Sequence, residues 1–350
     1  MRDTLASIPD SVLAHYRDLA GQPVTVQSGG LINRTYRVDG RKGPVIVQRL
    51  HPVFGGSVNE DIDAVTAHIE SKGLTTPRPV RTDAGRLWVD DGVGIWRALT
   101  FVEGQAFDRI ASPEMAREAG KLVATFHLAV ADLDYEYRHV RTGVHDARRH
   151  FDVLRGALVE HPGHRLFDDV SRLSDRIWQI AEGLPDLSSL PKRHAHGDLK
   201  ISNLLFRDGI GHCLVDLDTL GRIIWPFEMG DALRSWTNPA GEDQALSAVN
   251  VDTFVAALSG YGDIAAGGEL VSVEEMEALV SGLATICVIL SARFLADALH
   301  ERYFGFDAQR FPARGEHNLL RGQGQLSLFE SVERHRAELE LAVRRAFRRA

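Results

Sequence analysis

The chain is poor in cysteine and carries no excess of positive charge. Cys213 and Cys287 are the only cysteines among 350 residues, too few for paired zinc ligands or a disulfide framework. The formal net charge is −8, which argues against a protein dedicated to nucleic acid or to anionic membranes. We therefore expect no nucleic-acid partner, no membrane partner and a reducing, cytoplasmic location.

Long hydrophobic runs, repeats and low-complexity tracts are also missing. The longest apolar run, Ile286–Leu290, is too short to cross a bilayer, which takes about 20 residues. The first residues include Asp3, Asp10 and Asp18 and lack the continuous apolar stretch of a secretory signal. What remains is an ordinary globular composition, 44% hydrophobic and 25% charged. We expect the protein to be a monomer or a homodimer.

The N-terminal part of the chain predicts a small antiparallel sheet with one helix. Three β-patterned segments come first, separated by turn signals such as Asp39-Gly40: PVTVQ, NRTYRV and PVIVQRL. The period then becomes helical up to Gly73, and Ser57 and Glu60 have the spacing of a capping box. Two more strands are predicted, over 86–89 and 95–102.

From Ser112 onward, most of the chain has helical periodicity. Later helices are predicted over 250–260, 273–299 and 325–348. A hairpin interrupts them between Asn203 and Asp218, where two apolar runs flank a glycine-containing turn. This order predicts an α+β fold with an N-terminal domain over 1–102 and a mainly helical C-terminal domain over 103–350.

A cluster of polar and ionisable residues, His194–Asn203, stands directly before the hairpin. Ionisable groups beside core residues are costly unless their charges are paired or used. Asp198 can accept from a hydroxyl, Lys200 supplies a positive charge, and Asn203 with Asp216 offers the oxygen ligands that Mg²⁺ prefers. A base, a cation and metal ligands around one turn are what phosphoryl transfer from ATP needs.

Two other interpretations of these residues stay open at this point. The segment HGD can form a turn and Asn203 can act as a cap, as isolated Asp and Asn residues commonly do. The pair Asp216 and Asp218 also has the D-x-D spacing of glycosyltransferases that use nucleotide sugars. The full pattern, H-x-D-x-x-x-x-N followed by a strand that ends in Asp, favours phosphoryl transfer.

His196, Asp198, Asn203 and Asp216 resemble the motif set of the kinase-like phosphotransferases, which include aminoglycoside and choline kinases. The resemblance implies a bilobal protein-kinase-like fold, with a small nucleotide-binding lobe and a larger lobe for catalysis and acceptor binding. It also implies ATP and Mg²⁺ as cofactors. Asp198 would orient the acceptor hydroxyl, and Asn203 and Asp216 would hold the ion.

The same resemblance assigns the nucleotide site to the N-terminal lobe. The residues assigned are Ser28, Gly29, Gly30 and Asn33 in a phosphate-covering turn, Gln48 at the phosphates, and the backbone of Phe101, Val102 and Glu103 at adenine. Gln48 stands where such kinases carry a lysine, so Lys200 and Mg²⁺ would neutralise more of the phosphate charge. Arg49 is the alternative to Gln48, because adjacent strand residues face opposite sides of a sheet.

A narrower resemblance is to the N-acetylhexosamine 1-kinase subfamily. The segments that carry it lie between Gly29 and Gln325: GGLINRTYRV, VQRLHPVF, VDLDTL, GDALRSW and RFLADAL…YF…HNLLRGQGQ. It implies a kinase for the anomeric hydroxyl of a hexosamine, with Asp198, Arg293 and Tyr303 contacting the sugar.

Arg293 and Asp297 are four residues apart on one apolar helix and so share a face. A structural ion pair between them is the alternative to a role in sugar binding. The resemblance makes Asn318 and Arg321 further candidates, and Asp231 is expected to brace the catalytic loop.

Two other functions stay open. A kinase for an aminoglycoside or an amino alcohol would need carboxylates lining its cleft, and Arg293 would oppose a polycationic acceptor. A non-catalytic nucleotide binder would explain the missing lysine. The complete set of Asp198, Asn203 and Asp216 argues against that second alternative.

Overall fold

The computed structural model describes residues 7–27, 33–140, 142–265 and 270–347. The chain divides into two compact units. The first unit contains Met1–Gly104, Asp132–Val140 and Cys213–Leu220, and the second unit contains the remaining segments. Two later segments therefore join the N-terminal region, which a single cut after Val102 does not anticipate.

The first unit is built on an antiparallel sheet. Its strands are β1 (Val24–Gln27), β2 (Arg34–Gly40), β3 (Gly43–Arg49), β4 (Pro79–Val80), β5 (Val89–Asp90) and β6 (Ile95–Thr100). They are ordered β1-β2-β3-β6-β4, and β5 also pairs with β6. The predicted order of three strands, one helix and further strands is confirmed, but β5 is shorter than the predicted 86–89 segment and β4 adds a short strand that the pattern did not indicate.

Two helices belong to the first unit, α1 (Asp10–Leu13) and α2 (Val58–Ser71). The predicted capping box at Ser57 is wrong, because its backbone is already helical (φ −60°, ψ −22°) and its side chain makes no capping hydrogen bond. A capping serine needs an extended backbone to reach the N–H groups of the first turn. Ile62, Val65 and Ile69 lie on one face of α2 and are buried, which agrees with the helical periodicity of this segment.

The core of the first unit lies between α1 and one face of the sheet. Val12 and Tyr16 pack there with Val38, Val47 and Trp96, all of them 3% exposed or less. Burial of such side chains stabilises each by about 1.5–3 kcal/mol relative to exposure. The opposite face of β3 and β6 is left to carry the polar residues described below.

The second unit is mainly helical. Its helices are α3 (Pro113–Val130), α4 (Ala147–Glu160), α5 (Phe167–Ala181), α6 (Trp225–Trp236), α7 (Val251–Ala265), α8 (Val273–His300), α9 (Arg314–Arg334) and α10 (Arg336–Ala346). Its strands are β7 (Lys192–Ala195), β8 (Leu204–Arg207), β9 (Ile210–Leu214) and β10 (Gly221–Ile224), and the last two residues of β9 belong to the first unit. β7 pairs with β10, and β8 with β9. The single helix predicted over 325–348 is wrong, since the chain changes helix at His335.

Helix α8 is the central helix of the second unit. Ser272 and Glu275 form a reciprocal capping box at its start. By length and composition α8 could cross a membrane, with a mean hydropathy of 2.0 over its most apolar window, but 83% of that window is buried inside the protein. The apolar run Ile286–Leu290 therefore belongs to a core helix of 28 residues.

Helices α3 and α7 approach each other closely because glycines lie at their contact. A Cβ atom on Gly120 would lie 1.9 Å from the carbonyl oxygen of Ala257, and one on Gly260 would lie 1.9 Å from that of Arg117. The close approach places His127 of α3 against Tyr261 of α7, with 2.9 Å between His127 Nδ1 and the tyrosine hydroxyl.

Candidate active site

The loop between β7 and β8 carries the ionisable cluster and is held at several points. Gly197 has φ +80°, a left-handed conformation that favours glycine. His196 is fully buried, and its Nδ1 accepts a hydrogen bond from the backbone N–H of Asp198 (3.3 Å). Trp236 Nε1 donates to the carbonyl oxygen of Leu199 (2.7 Å). These contacts fix the path of the backbone on both sides of Asp198.

A buried carboxylate on α6 braces the same turn. Glu228 Oε1 accepts from the backbone N–H of His196 (2.8 Å), and Oε2 accepts from that of Gly197 (3.1 Å). Burial raises the pKa of Glu228, but the hydrogen bond and charge of His127 outweigh it, so the pKa lies below its usual 4.5. The brace is therefore a buried, ionised carboxylate.

The expectation that Asp231 braces the catalytic loop is wrong. Asp231 lies one helical turn after Glu228 and accepts from Arg234 Nε (2.8 Å). Burial raises the pKa of Asp231, but the charge of Arg234 outweighs this and lowers the pKa overall. Glu228 could have been suspected from the sequence, because it lies three residues before Asp231 on the same helix face.

Asp198, Lys200 and Asn203 come together as the sequence predicts. Lys200 Nζ lies 2.8 Å from Asp198 Oδ2. Asn203 Nδ2 donates to Asp198 Oδ2 (3.1 Å) and to the carbonyl oxygen of Asp198 (2.8 Å). Both side-chain contacts fall on Oδ2, so within the described residues Oδ1 is the oxygen that can accept from a hydroxyl.

Asp216 has a backbone conformation that is unusual for its residue type. Its φ of +62° and ψ of +56° lie in the left-handed region, just before a 3-10 turn over Leu217–Thr219. Such conformations are costly away from glycine and persist where the surroundings impose them. Asp216 belongs to the first unit and Asn203 to the second, so the pairing of these two as metal ligands stays a prediction.

Asp218, whose role the sequence left open, forms a buried ion pair with Arg97 on β6. Both Nη atoms of Arg97 donate to the Asp218 carboxylate, with 3.0 Å between Nη2 and Oδ2. The two side chains are 1% and 2% exposed. Sequence reasoning missed Arg97, because its position opposite Gln48 depends on the register of β6 against β3.

The side chains of Gln48 and Asn33, both assigned to the nucleotide, are engaged inside the first unit. Gln48 Nε2 donates to Thr35 Oγ1 (3.1 Å), and its Oε1 accepts from Arg97. Asn33 Nδ2 donates to Asp218 Oδ2, and its Oδ1 accepts from the backbone N–H of His51. Contacts of Gln48 and Asn33 with phosphate therefore stay predictions. Ser28, Gly29 and Gly30 lie outside the described residues.

The segment after β6 has the features of an edge that can bind a base. The backbone N–H of Phe101 donates to the carbonyl oxygen of Pro44 (3.4 Å). Within the described residues, the backbone groups of Val102 and Glu103 have no hydrogen-bond partner. Arg49, the alternative to Gln48, donates to the carbonyl oxygen of Val93 (3.1 Å). An adenine contact at Val102 and Glu103 stays a prediction.

Arg293 and Tyr303, the predicted sugar-binding residues, lie on the same aromatic ring. The guanidinium carbon of Arg293 is 5.4 Å from the centroid of the Phe304 ring. The Tyr303 ring packs edge-on against Phe304 at 4.8 Å and is 61% exposed. The structure thus brings together a cation and two aromatic rings at the end of α8.

Asp297 holds the loop that carries these rings. Its Oδ1 accepts from the backbone N–H groups of Arg302 (3.1 Å) and Tyr303 (2.8 Å), and its Oδ2 accepts from that of Phe304 (2.8 Å). Asn318 Nδ2 also donates to Oδ2 (2.9 Å). Asp297 is 4% exposed, so it acts on the backbone of the loop.

Arg321 supports the same loop from α9. Its Nη1 donates to the carbonyl oxygen of Gly305 (2.7 Å), and its Nε donates to Asp243 Oδ1 (2.7 Å). Burial raises the pKa of Asp243, but Arg321 outweighs it and the pKa is lowered overall. Arg321 is therefore engaged with a carboxylate and with the loop backbone.

Comparison with known proteins identifies the family of the chain and structures that share its fold. The profile described as "Phosphotransferase enzyme family" matches residues 24–261. Three solved structures superpose over almost the full length. An aminoglycoside phosphotransferase from Alicyclobacillus acidocaldarius has a TM-score of 0.63 at 15% identity, covering 97% of this chain and 98% of that chain.

The microcompartment-associated aminopropanol kinase has a TM-score of 0.64 at 16% identity, covering 95% of this chain and 98% of that chain. The amicoumacin kinase hAmiN, in complex with AMP-PNP, Ca²⁺ and Ami, has a TM-score of 0.60 at 15% identity. The superposition covers 94% of this chain and 90% of that chain. Together with the antiparallel-sheet unit and the mainly helical unit, these similarities confirm the predicted α+β kinase-like fold.

Proposed function

The chain belongs to the phosphotransferase enzyme family, and we propose that it is an ATP-dependent kinase for the anomeric hydroxyl of an N-acetylhexosamine. The products would be a sugar 1-phosphate and ADP. The main support for a phosphotransferase activity is the geometry of the loop between β7 and β8, in which Lys200 and Asn203 both contact Oδ2 of Asp198. The choice of a sugar rests on Arg293, Tyr303 and their surroundings.

In this proposal, Asp198 binds and orients the acceptor hydroxyl through Oδ1. Lys200, 2.8 Å from the other oxygen, offsets the charge of the transferring phosphoryl group. Phosphoryl transfer passes through a loose transition state, so positioning and charge neutralisation matter more than early proton removal. The braces from His196 and Glu228 fix the loop before substrate arrives, which lowers the cost of orienting the hydroxyl.

The donor set on this chain fits a hard divalent cation. Asp216 offers a carboxylate and Asn203 an amide oxygen, and such oxygens are ligands that Mg²⁺ prefers. The backbone of Asp216 is left-handed (φ +62°), a conformation that is uncommon for residues other than glycine and that clusters at functional sites. Mg²⁺ would neutralise charge on the nucleotide phosphates. The similar hAmiN structure contains AMP-PNP with Ca²⁺, which supports a nucleotide and a divalent cation here.

The charges around the loop after α8 favour a neutral acceptor. Asp297 is engaged by three backbone N–H groups, Asp243 by Arg321 and Asp231 by Arg234. A polycationic aminoglycoside needs carboxylates that are not already paired. Arg293 adds a positive charge that repels such an acceptor and suits the hydroxyl and carbonyl oxygens of an N-acetyl sugar.

An amino alcohol is the second candidate acceptor. One of the similar structures is an aminopropanol kinase, and a single ammonium group needs only one carboxylate. This candidate predicts that the favoured acceptor carries one amine and that binding weakens as pH rises through the pKa of that amine.

A screen of acceptors with ATP and Mg²⁺ tests the proposal. The panel is GlcNAc, GalNAc, glucose, galactose, ethanolamine, aminopropanol and kanamycin, with Asp198→Asn as the inactive control. We expect turnover with an N-acetylhexosamine and a product whose ³¹P signal couples to the anomeric proton. Turnover confined to ethanolamine or aminopropanol would replace the sugar by the amino alcohol, and turnover confined to kanamycin would overturn the argument from paired carboxylates.

We also propose that the protein works in the cytoplasm, on the evidence of its thiols. Cys213 and Cys287 are free and buried. Burial raises the pKa of each thiol to about 12, so both stay protonated and unreactive at neutral pH. Free thiols are typical of reducing compartments. Cell fractionation with compartment markers measures this directly.

A further inference from the structure

A buried polar cluster in the first unit surrounds one arginine. We call it the Arg97 cluster, and it consists of Arg97, Asp218, Gln48, Asn59 and Asn33. Arg97 donates from Nε and Nη2 to Gln48 Oε1 (2.9 and 2.7 Å), from both Nη atoms to Asp218, and from Nη1 to Asn59 Oδ1 (3.5 Å). Asn33 Nδ2 adds a third hydrogen bond to the carboxylate of Asp218. The cluster joins β3, β6, α2 and the turn after Asp216.

The hydrogen bonds of Arg97 use its full donor capacity. A guanidinium has five N–H donors, and the contacts with Gln48, Asp218 and Asn59 are five in number. The side chain is 1% exposed. Arg97 lies opposite Gln48, the residue that the resemblance assigns to the phosphates. The charge of Arg97 is already paired with that of Asp218. Arg97 is therefore not a phosphate ligand in this structure.

A buried ion pair of this kind is a poor way to gain stability. The cost of taking both charges out of water offsets most of their attraction, and apolar residues of similar size serve the fold as well or better. What the pair supplies is a fixed position for both partners. The bidentate geometry allows the Asp218 carboxylate one orientation relative to the sheet.

The ion pair with Arg97 fixes Asp218, which lies two residues after Asp216, the proposed metal ligand. Asp218 is in the 3-10 turn that follows Asp216, and Asp216 is the residue with the left-handed backbone. A turn this short passes a displacement of Asp218 directly to Asp216. The Arg97 cluster thus ties the proposed metal-binding turn to strands β3 and β6 of the sheet.

We propose that Arg97 is a positioning residue for the divalent cation: it holds Asp218 so that the Asp216 carboxylate is presented to the metal in one orientation. The inference rests on the proposed function, because it takes Asp216 as the metal ligand. Residues that orient metal ligands from behind influence affinity strongly, and their loss costs about tenfold to a hundredfold in metal binding.

The test separates this role from a role in stability. We compare the wild type with Arg97→Met, Asp218→Asn and the double variant Arg97→Met/Asp218→Asn. Mn²⁺ affinity is measured by electron paramagnetic resonance in the presence of AMP-PNP, and thermal unfolding is followed by circular dichroism. Arg97→Met leaves a buried unpaired carboxylate and should lower both quantities. The double variant removes that charge, keeps an acceptor for Asn33, and should recover the Tm.

The decisive quantity is the Mn²⁺ affinity of the double variant. We expect it to stay about tenfold to a hundredfold weaker than wild type at a recovered Tm. Recovery of Mn²⁺ affinity together with the Tm would show that the pair only serves the fold and would overturn the proposal. Arg97→Lys provides a second route if the double variant does not fold. It keeps the charge without the planar fork, and wild-type Mn²⁺ affinity in a folded Arg97→Lys would equally overturn the proposal.

Two controls isolate the inference. Arg336→Met removes an arginine with the same two-pronged pairing, since Arg336 donates from Nε (2.9 Å) and Nη2 (2.6 Å) to the carboxylate of Glu333. It should lower the Tm without changing Mn²⁺ affinity. Asp216→Gly tests the proposed function itself. If Mn²⁺ affinity is unchanged in Asp216→Gly, the ligand assignment fails and the inference falls with it, whatever the Arg97 variants do.

Discussion

Arg97 and Gln48 lie opposite each other on β6 and β3, and the amide oxygen of Gln48 accepts from both Nε and Nη2 of Arg97. The side chain of Gln48 therefore has a defined partner within the sheet. A lysine at that position would place a second positive charge beside the buried guanidinium, which a desolvated site tolerates poorly. Among the described residues of the sheet, Arg97 is the buried cation, and it is paired with Asp218.

Replacing Asp198 by asparagine should reduce kcat by about 100- to 10,000-fold, the usual contribution of a positioned acid or base. The amide preserves the size of the side chain and removes the charge that orients the hydroxyl. Nucleotide affinity, measured by calorimetry, should be unchanged. Asp208→Asn is the matched control, because it makes the same chemical change in the exposed turn between β8 and β9. Turnover near wild type in Asp198→Asn would remove Asp198 from the mechanism.

Replacing Asp216 by alanine or glycine should abolish the Mg²⁺-dependent part of turnover. Glycine adopts the left-handed backbone of Asp216 without strain and alanine does not. A loss common to both variants is therefore due to the carboxylate and not to the backbone. The measurement is a titration of activity with Mg²⁺ beside nucleotide binding in EDTA, which should stay unchanged. An unaltered Mg²⁺ titration contradicts the ligand assignment.

Replacing Arg293 by alanine should raise the KM for the sugar by about tenfold or more, as expected for the loss of a charged hydrogen-bond donor. The KM for ATP should change much less, because Arg293 belongs to the second unit and contacts Phe304, whereas the proposed nucleotide-binding residues belong to the first unit. Arg310→Ala is a matched control, since Arg310 also lies over a phenylalanine ring, that of Phe311 at 5.3 Å. A larger change in the KM for ATP than for the sugar would move the acceptor site elsewhere.

Replacing Glu228 by glutamine should lower the free energy of unfolding by about 1–3 kcal/mol, because two backbone N–H groups lose a charged acceptor. The effect should depend on pH. The pKa of Glu228 is lower in the folded protein than its usual 4.5, so the unfolded chain takes up a proton first as pH falls. The stabilisation is complete above pH 4.5 and is lost as pH falls through the folded pKa.

Urea unfolding of wild type and Glu228→Gln at pH 6 and at successive values below 4.5 measures this difference. We expect the two unfolding midpoints to converge as pH falls. A constant difference between them over the whole range would mean that Glu228 contributes through its shape and not through its charge. Glu242→Gln serves as the comparison, because Glu242 is an exposed carboxylate that accepts from Arg234 (2.6 Å), another residue of α6, and makes no contact with the loop among the contacts of the described residues.

The convergence of Asp198, Lys200 and Asn203 and the order of elements in the sheet unit could be predicted from the sequence. Asp198, Lys200 and Asn203 lie within six residues of chain, so local geometry brings them together wherever the loop is placed. The strands β2 and β3 are joined by a short turn, and tight hairpins are visible in sequence patterns.

The remaining contacts depend on information that is not local. Arg97 meets Asp218 across 121 positions of sequence, and that contact depends on the register between two strands. Ser57 has the right spacing for a capping box but the wrong backbone conformation. Glu228 and Asp231 lie on one helix face, and only the packing of α6 decides which of them reaches the loop.

Asp297 binds the backbone of residues 302–304, while the side chains of Arg302 and Tyr303 are exposed and the Phe304 ring packs on Phe294 at 4.5 Å. The course of this loop is therefore independent of which side chains it displays. Tyr303, which is 61% exposed, can be exchanged at little cost to folding. Under the proposed function, a lineage that retains Asp297 can diverge to new acceptors by point substitutions at Arg302 and Tyr303, without insertions or deletions in the scaffold.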